Sequence, residues 1–234
     1  MLNYYILMAQ KQDIFTLLGG KVRIKRGRYN PTSDAVWLAA FCPTKVKTAL
    51  EVGIGTGGAS LCLLTHNPKL SITGIDISSE MLTECKENAD LNNAKLELIN
   101  ADIMTWRTNK TFDLVFSNPP YFKGTPAKHN AHHNIDLTAW VKKSIARVKP
   151  RGYFCAISDT NVLDEVVSEM HKHCGDIKIF PLFGAKNTAE RIIIQGRLGT
   201  HGGTTLYSGL KMNEESILRV GLTIETLLSR LNKI

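Results

Sequence analysis

The chain has 234 residues, of which 43% are hydrophobic and 21% charged, so it suits one globular domain and excludes a wholly disordered protein. The net charge of +8 favours an anionic partner, nucleic acid before a membrane, although a basic surface without such a partner stays open. The five cysteines include no C-x-x-C pair, which argues against a zinc site or a disulfide framework. No run approaches the ~18 apolar residues of a membrane span and no basic signal-peptide region is present, so we expect a cytoplasmic protein with no membrane partner.

A basic segment leads into the first predicted helix. Residues 21–28 (KVRIKRGR) carry five cations and no acid. The stretch TSDAVWLAAF that follows predicts a helix with Thr32 or Ser33 as its N-cap. We interpret residues 1–46 as a basic lead-in and a helix that packs on the core.

Apolar strands alternate with helical patterns over residues 47–199. The predicted strands are TALEVGI, LSITGIDI, AKLELIN, FDLVFSN, GYFCAIS, DIKIFPLF and AERIIIQGRL, and the predicted helices are GASLCLLTH, SSEMLTECKENADLN, DLTAWVKKSIARV and NVLDEVVSEMHKH. This succession predicts an α/β fold with a seven-stranded, mostly parallel sheet and helices on both faces. Only GAKNT separates the last two strands, so we expect an antiparallel hairpin at one edge. Residues 200–234 are expected to add a C-terminal helical extension to the same globular unit.

A glycine-rich turn follows the first strand of this core. Gly53, Gly55 and Gly57 in EVGIGTGG allow a sharp turn and a close approach of the backbone to a ligand. Asp76 lies nineteen positions after Gly57, close to the spacing at which a carboxylate binds ribose hydroxyls. A dinucleotide and S-adenosylmethionine both fit this pattern. Glu51 favours S-adenosylmethionine, because that cofactor carries a cationic amino group and a sulfonium and no phosphate.

A third acid, Asp102, ends the third core strand, where we expect it to accept a hydrogen bond from adenine N6. Ile77 and Ile103 each follow one of these acids and would pack against the ring. A turn-capping role explains each acid singly about as well. Three acids at successive strand ends, however, lie at the edge of the sheet where ligands bind. The sequence therefore predicts S-adenosylmethionine as the cofactor and S-adenosylhomocysteine as its product.

The motif Asn118-Pro119-Pro120-Tyr121 follows the fourth core strand at the same edge. The tandem prolines fix the backbone and withhold two N–H groups. The side-chain oxygen of Asn118 and the carbonyl of Pro119 are placed to accept both N–H groups of a planar amino group, which favours its pyramidal geometry and stabilises developing positive charge. Tyr121 offers a face on which a flipped base can stack, worth about 1–3 kcal/mol. We interpret these four residues as the catalytic motif.

With these motifs the chain resembles the class I S-adenosylmethionine-dependent methyltransferases that methylate amino groups, whose fourth motif is [DNS]-PP-[YFW]. It is further similar to the bacterial tRNA1(Val) (adenine-37-N6)-methyltransferase family through GRYNPTSDAVWLAAF and GAKNTAERIIIQGRLG. The resemblance implies a Rossmann-like fold and N6-methylation of an adenine in the anticodon loop of a tRNA. The cofactor-binding residues that it implies are Thr32, Asp34, Glu51, Gly53, Gly55, Gly57, Asp76, Ile77, Asp102, Ile103 and Asn118.

Three acceptor classes share this motif: adenine N6, guanine N2 and the glutamine side chain of release factors. The positive charge favours tRNA as the partner, although a solvated basic face explains each cation singly about as well. A release-factor glutamine N5-methyltransferase, an rRNA guanine-N2 or adenine-N6 methyltransferase and an RNA-binding module without turnover remain alternatives. The candidate phosphate contacts are Lys21, Arg23, Lys25, Arg26, Arg28, Lys123 and Lys128.

The loop after the motif carries His129, His132 and His133. Without paired cysteines or carboxylates at ligand spacing, this histidine cluster predicts no metal site. We expect a monomer, and the sequence leaves a weak dimer open.

Overall fold

The computed structural model describes residues 13–119 and 136–231. The strands are β1 (Ile14–Leu17), β2 (Val22–Lys25), β3 (Thr48–Val52), β4 (Ser71–Asp76), β5 (Leu96–Asn100), β6 (Phe112–Ser117), β7 (Val148–Asp159), β8 (Cys174–Phe183), β9 (Ala189–Leu198), β10 (Thr205–Leu206) and β11 (Leu210–Lys211). The helices are α1 (Ser33–Phe41), α2 (Gly58–His66), α3 (Ser79–Leu91), α4 (Leu137–Ile145), α5 (Leu163–His171), α6 (Glu215–Leu218) and α7 (Ile224–Leu231). No helix among these is long and apolar enough to cross a membrane.

A mixed sheet organises the chain in the strand order β10-β8-β9-β7-β6-β3-β4-β5, with β11 also paired to β8. Strands β3 to β7 pair in parallel, whereas β9 runs antiparallel to both β7 and β8. The predicted mostly parallel α/β fold with an antiparallel hairpin towards one edge is thereby confirmed.

The strand count is higher than the seven that the sequence predicts. Seven long strands are present as expected, and the two-residue strands β10 and β11 add to the outer side of β8. Strands β1 and β2 form a separate antiparallel pair. Elements as short as β10 and β11 contain no periodic pattern that a sequence could reveal. The division of the chain at residues 46 and 199 stays a prediction.

The sheet separates two apolar cores. Consecutive residues of a strand point to opposite faces, so Leu114 and Phe116 pack in one core and Val115 in the other. Helices α1 and α2 cover the first core, and α4 and α5 cover the second. Trp37 and Trp140 are buried in these cores.

Helix α4 ends earlier than the sequence predicts, at Ile145 instead of Val148. Pro150 and Gly152 lie within β7. Val148 pairs with Phe112 of β6, and Tyr153 pairs with Leu114, so β7 has a bulge of additional residues between these two pairs. The bulge explains the difference, because a bulged residue needs no ladder hydrogen bond and a strand can therefore carry a proline there.

Asp113 ties three strands together at the amino edge of the sheet. Its Oδ2 accepts hydrogen bonds from the backbone N–H groups of Lys47 and Thr48, and its Oδ1 accepts from Lys149 Nζ at 2.8 Å. Partial burial by itself would raise the pKa of Asp113, but the hydrogen bonds from Lys149, Thr48 and Lys47 hold that pKa low, at about 2. The ionised carboxylate therefore stabilises the fold.

We expect Asp113→Ala to lower the free energy of unfolding by about 1–3 kcal/mol at neutral pH, since several donors lose their acceptor. Because the folded-state pKa lies below the ordinary 3.8, the stabilisation is complete above that value and is lost as the pH falls towards 2. Urea unfolding at pH 7, 4 and 2.5 measures the difference between the two proteins. A difference that did not narrow below pH 4 would contradict this role.

Candidate functional site

The turn after β3 is built on three glycines in the left-handed region. The φ angles are +70° at Gly53, +54° at Gly55 and +84° at Gly57, values that residues with a side chain rarely adopt. A Cβ at Gly57 would lie 2.7 Å from Cys85 Sγ on α3, whereas a Cβ at Gly53 or Gly55 would meet no atom within 4 Å. The turn is thus packed against α3 on one side and leaves space for a ligand at its first two glycines.

Asp76, at the end of β4, holds this turn in place. Its Oδ2 accepts a hydrogen bond from the Gly55 N–H at 2.8 Å, and its Oδ1 accepts from the Ser78 N–H at 2.9 Å. The side chain is only partly buried, and each carboxylate oxygen can accept a second hydrogen bond. Asp76 therefore lies beside the glycine turn with acceptor capacity left for a ligand hydroxyl.

A cavity of about 450 Å³ opens beyond the ends of β4 and β5. Ile77 stands 73% exposed beside it, and Ile103 is buried in the core. Asp102 Oδ1 accepts a hydrogen bond from the Met104 N–H at 2.9 Å, which fixes the carboxylate at the cavity wall. The predicted adenine-binding residues Ile77 and Asp102 therefore lie together. The lining residues are Ile77, Asn100, Ala101, Asp102, Thr105, Trp106 and Arg107.

Glu51 is 3% exposed and lies in β3, with its side chain directed to the first turn of α2. Its Oε2 accepts hydrogen bonds from the backbone N–H of Ser60, at 3.1 Å, and from the Ser60 hydroxyl. Burial raises the pKa of Glu51 to about 8, against the opposing effect of the Ser60 hydrogen bonds. At neutral pH the group is mainly protonated, so it joins the strand to the helix as a neutral acid.

Glu51→Gln should remove a pH dependence of stability. The folded-state pKa of Glu51 is raised from 4.5 to about 8, so the folded protein holds a proton that the unfolded chain releases within this window. The free energy of unfolding of the wild type should therefore fall as the pH rises from 5 to 8, whereas the variant lacks this contribution. Urea unfolding at pH 5, 6.5 and 8 measures the free energy of unfolding of both proteins. The exposed Glu87→Gln control should keep the wild-type slope, and an equal slope in Glu51→Gln would contradict the assignment.

The predicted catalytic motif begins where β6 leaves the sheet next to β3. Ser117 is buried, and its hydroxyl donates to the Val52 carbonyl at 2.6 Å, which joins the two strand ends. Asn118 is partly buried and Pro119 is buried. Asn118 thus follows β6 at the edge of the sheet that carries the glycine turn, which is the edge that the sequence predicts. The predicted residues Pro120, Tyr121, Lys123, Lys128, His129, His132 and His133 lie outside the described residues.

The protein itself engages several cations of the basic segment. Lys25 pairs with Glu87 at 2.7 Å, and Arg26 pairs with Asp13 at 3.0 Å. Lys21 Nζ donates to the Val220 carbonyl at 2.8 Å. Arg23 and Arg28 are exposed and take part in none of these three contacts. Among the five cations, these two side chains are therefore the most accessible to a phosphate. The RNA-binding role of the segment stays a prediction.

Thr32 caps α1 as predicted, with its hydroxyl oxygen accepting from the Asp34 N–H. Asp34 Oδ2 accepts from Arg191 Nε at 3.2 Å, and Arg191 Nη1 donates to Asp159 Oδ2 at 3.1 Å. This bridge joins α1 to β7 and β9 at the carboxyl end of β7. Arg191 and Asp159 are not predictable from the sequence, because each lies in a strand without a local motif.

A family model described as the methyltransferase small domain matches residues 32–179, more than half of the chain. A tRNA1(Val) (adenine(37)-N6)-methyltransferase of Glaesserella parasuis is 27% identical over 148 residues, which cover 59% of this chain and 63% of that protein. A release factor glutamine methyltransferase of Lactococcus lactis is 40% identical over 72 residues, which cover 31% of this chain and 26% of that protein. The matched stretch thus spans less than two thirds of the length of each of these two relatives.

The backbone is similar to the crystal structure of a protein from Agrobacterium tumefaciens described as a predicted O-methyltransferase. The TM-score is 0.64 with 21% sequence identity, over 76% of this chain and 86% of that chain. At this identity the likeness shows the fold alone, and it confirms the Rossmann-like architecture that the sequence predicts.

Proposed function

Because the chain belongs to the methyltransferase small domain family, we propose that it is an S-adenosylmethionine-dependent methyltransferase that acts on an exocyclic amino group. One observation carries this proposal. The carboxyl ends of the adjacent parallel strands β3, β4, β5 and β6 bring the glycine turn, Asp76, Asp102 and Asn118 to one edge of the sheet. Ligands of open α/β sheets bind at this edge.

The residues present fit S-adenosylmethionine. Asp76 offers free acceptor positions for ribose hydroxyls. The cavity beside Ile77 and Asp102 offers an apolar surface and a carboxylate for adenine. The open side of the glycine turn leaves room for the methionine part. When bound, this cofactor would supply an electrophilic methyl group on a sulfonium.

The proposed role of the protein at the acceptor is to orient a flat amino group and stabilise its charge. The side-chain oxygen of Asn118 and the carbonyl of Pro119 would accept its two N–H groups. These acceptors favour a pyramidal nitrogen, whose lone pair is then available for attack, and they stabilise positive charge as it develops. The buried Ser117–Val52 hydrogen bond fixes the end of β6, directly before Asn118, against β3.

For the substrate we propose adenine N6 in a tRNA, at the anticodon-loop position 37 that the name of the Glaesserella parasuis relative gives. The net charge of +8 supports a nucleic acid. The exposed Arg23 and Arg28 support phosphate contacts near the cofactor turn. The chain continues from this basic segment to Pro31, which lies against Gly58 at the start of α2, directly after the glycine turn.

The second candidate is N5-methylation of a glutamine in a release factor. The 40% identity to the Lactococcus lactis relative over 72 residues favours it specifically. The lone pair of a planar amide nitrogen is as little available for attack as that of adenine N6. The same two acceptors would therefore serve for a glutamine side chain.

Incubation with radiolabelled S-adenosylmethionine and either total tRNA, rRNA or release factor separates these candidates. We expect label in tRNA, recovered as N6-methyladenosine after digestion. Label in the release factor alone would replace the RNA substrate with glutamine, and label in none of the three would contradict the proposed activity.

A further inference from the structure

A single buried asparagine on α3 connects the cofactor turn to the basic segment. Asn88 is 1% exposed. Its Nδ2 donates to the Thr56 carbonyl of the glycine turn at 3.0 Å. Its Oδ1 accepts from the backbone N–H of Lys25 at the end of β2 at 2.9 Å. One side-chain amide therefore supports both segments.

The peptide between Thr56 and Gly57 is held at both of its polar atoms. The Thr56 carbonyl accepts from Asn88, and the Gly57 N–H donates to the Ile54 carbonyl at 2.9 Å. Gly55 and Gly57 flank Thr56, and glycine permits many backbone conformations. The two hydrogen bonds therefore hold this peptide in one orientation, and the bond from Asn88 is the one whose donor lies outside the turn, on α3.

The orientation of the Asn88 amide is itself determined by β2. The Lys25 N–H can only bind an oxygen, which places the amide oxygen towards β2 and the NH2 group towards the turn. One helical turn later, Asn92 Oδ1 accepts from the Arg23 N–H at 2.8 Å, and its Nδ2 donates to the Arg23 carbonyl. Asn92 therefore makes the same kind of contact with β2, but its side-chain hydrogen bonds go to Arg23 and to the Asn88 carbonyl instead of the glycine turn.

We propose that Asn88 is a positioning residue that holds the S-adenosylmethionine-binding turn in its binding geometry and in a fixed relation to the basic segment. This inference rests on the proposed function. It gives α3 a role in the affinity for S-adenosylmethionine. The backbone of Lys25, which orients the Asn88 amide, then also supports the cofactor site.

The test compares Asn88→Asp with the matched variant Asn92→Asp. Both changes keep the size of the side chain and replace an NH2 donor with an acceptor. In Asn88→Asp a carboxylate oxygen faces the Thr56 carbonyl, so we expect the Kd for S-adenosylhomocysteine, measured by isothermal titration calorimetry, to rise about tenfold or more. In Asn92→Asp we expect a Kd within about twofold of the wild type, even though its thermal stability falls.

A purely structural role predicts a different result. Both variants would then lose thermal stability and bind the cofactor product with the wild-type Kd, and this outcome overturns the proposal. If Asn88→Asp does not fold, Asn88→Ser carries the same comparison, because its shorter hydroxyl does not span both segments. A wild-type protein that fails to bind S-adenosylhomocysteine refutes the proposed function itself, and the two failures are therefore distinguishable.

Discussion

Replacing Asn118 with alanine should lower kcat about 10²–10³-fold and leave the Kd for S-adenosylmethionine within about twofold. The expected loss is large because the side-chain oxygen would accept from the reacting amino group as positive charge develops on it. The binding of the cofactor depends on the glycine turn and the ends of β4 and β5, which this change leaves intact. Single-turnover methylation of tRNA and calorimetric titration of the cofactor measure the two quantities separately.

The exposed Asn109→Ala is the control for this experiment and should match the wild type in both measurements. A variant Asn118→Ala that kept most of its turnover while its cofactor affinity fell would show that Asn118 binds the donor and does not act on the acceptor.

Replacing Asp76 with alanine should weaken the binding of S-adenosylmethionine about a hundredfold, since hydrogen bonds to a charged group contribute about 1.5–3 kcal/mol each. Two effects combine. The ribose hydroxyls lose their acceptor, and the Gly55 N–H loses the carboxylate that now orients the turn at 2.8 Å. Equilibrium titration of the variant with S-adenosylmethionine and S-adenosylhomocysteine measures the change.

Asp90→Ala is the matched control, because Asp90 is an exposed acid whose side chain pairs only with Lys86 among the described residues. We expect it to bind both ligands as the wild type does. Unchanged affinity in Asp76→Ala would mean that the ribose lies elsewhere.

Local signals in the sequence were sufficient for the elements that position the site. The positive-φ turn was predictable because three glycines in seven residues follow an apolar strand. Thr32 was predictable as an N-cap because it is a hydroxyl residue directly before a helix. The acids at the ends of β4 and β5 follow from the alternation of strands and helices, which brings those ends to one edge.

The contacts that support the site were not predictable in the same way. The sequence predicts Glu51 as a carboxylate beside the cationic part of the cofactor. Only the fold shows that Glu51 is buried against Ser60 and that its pKa is raised to about 8. Asn88 sits in an ordinary helical pattern, and its two partners lie 32 and 63 residues away in the chain. Arg191 reads as a strand residue, although it bridges Asp34 and Asp159. Such long-range polar contacts depend on tertiary packing and produce no periodic pattern.

The central claim is that the protein methylates an amino group of a tRNA base at this edge of the sheet. Nucleoside mass spectrometry of tRNA from cells with and without the gene tests it most directly. We predict that N6-methyladenosine is lost from one tRNA in the deletion strain and returns with the wild-type gene but not with Asn118→Ala. Unchanged tRNA nucleosides in the deletion strain would contradict the claim.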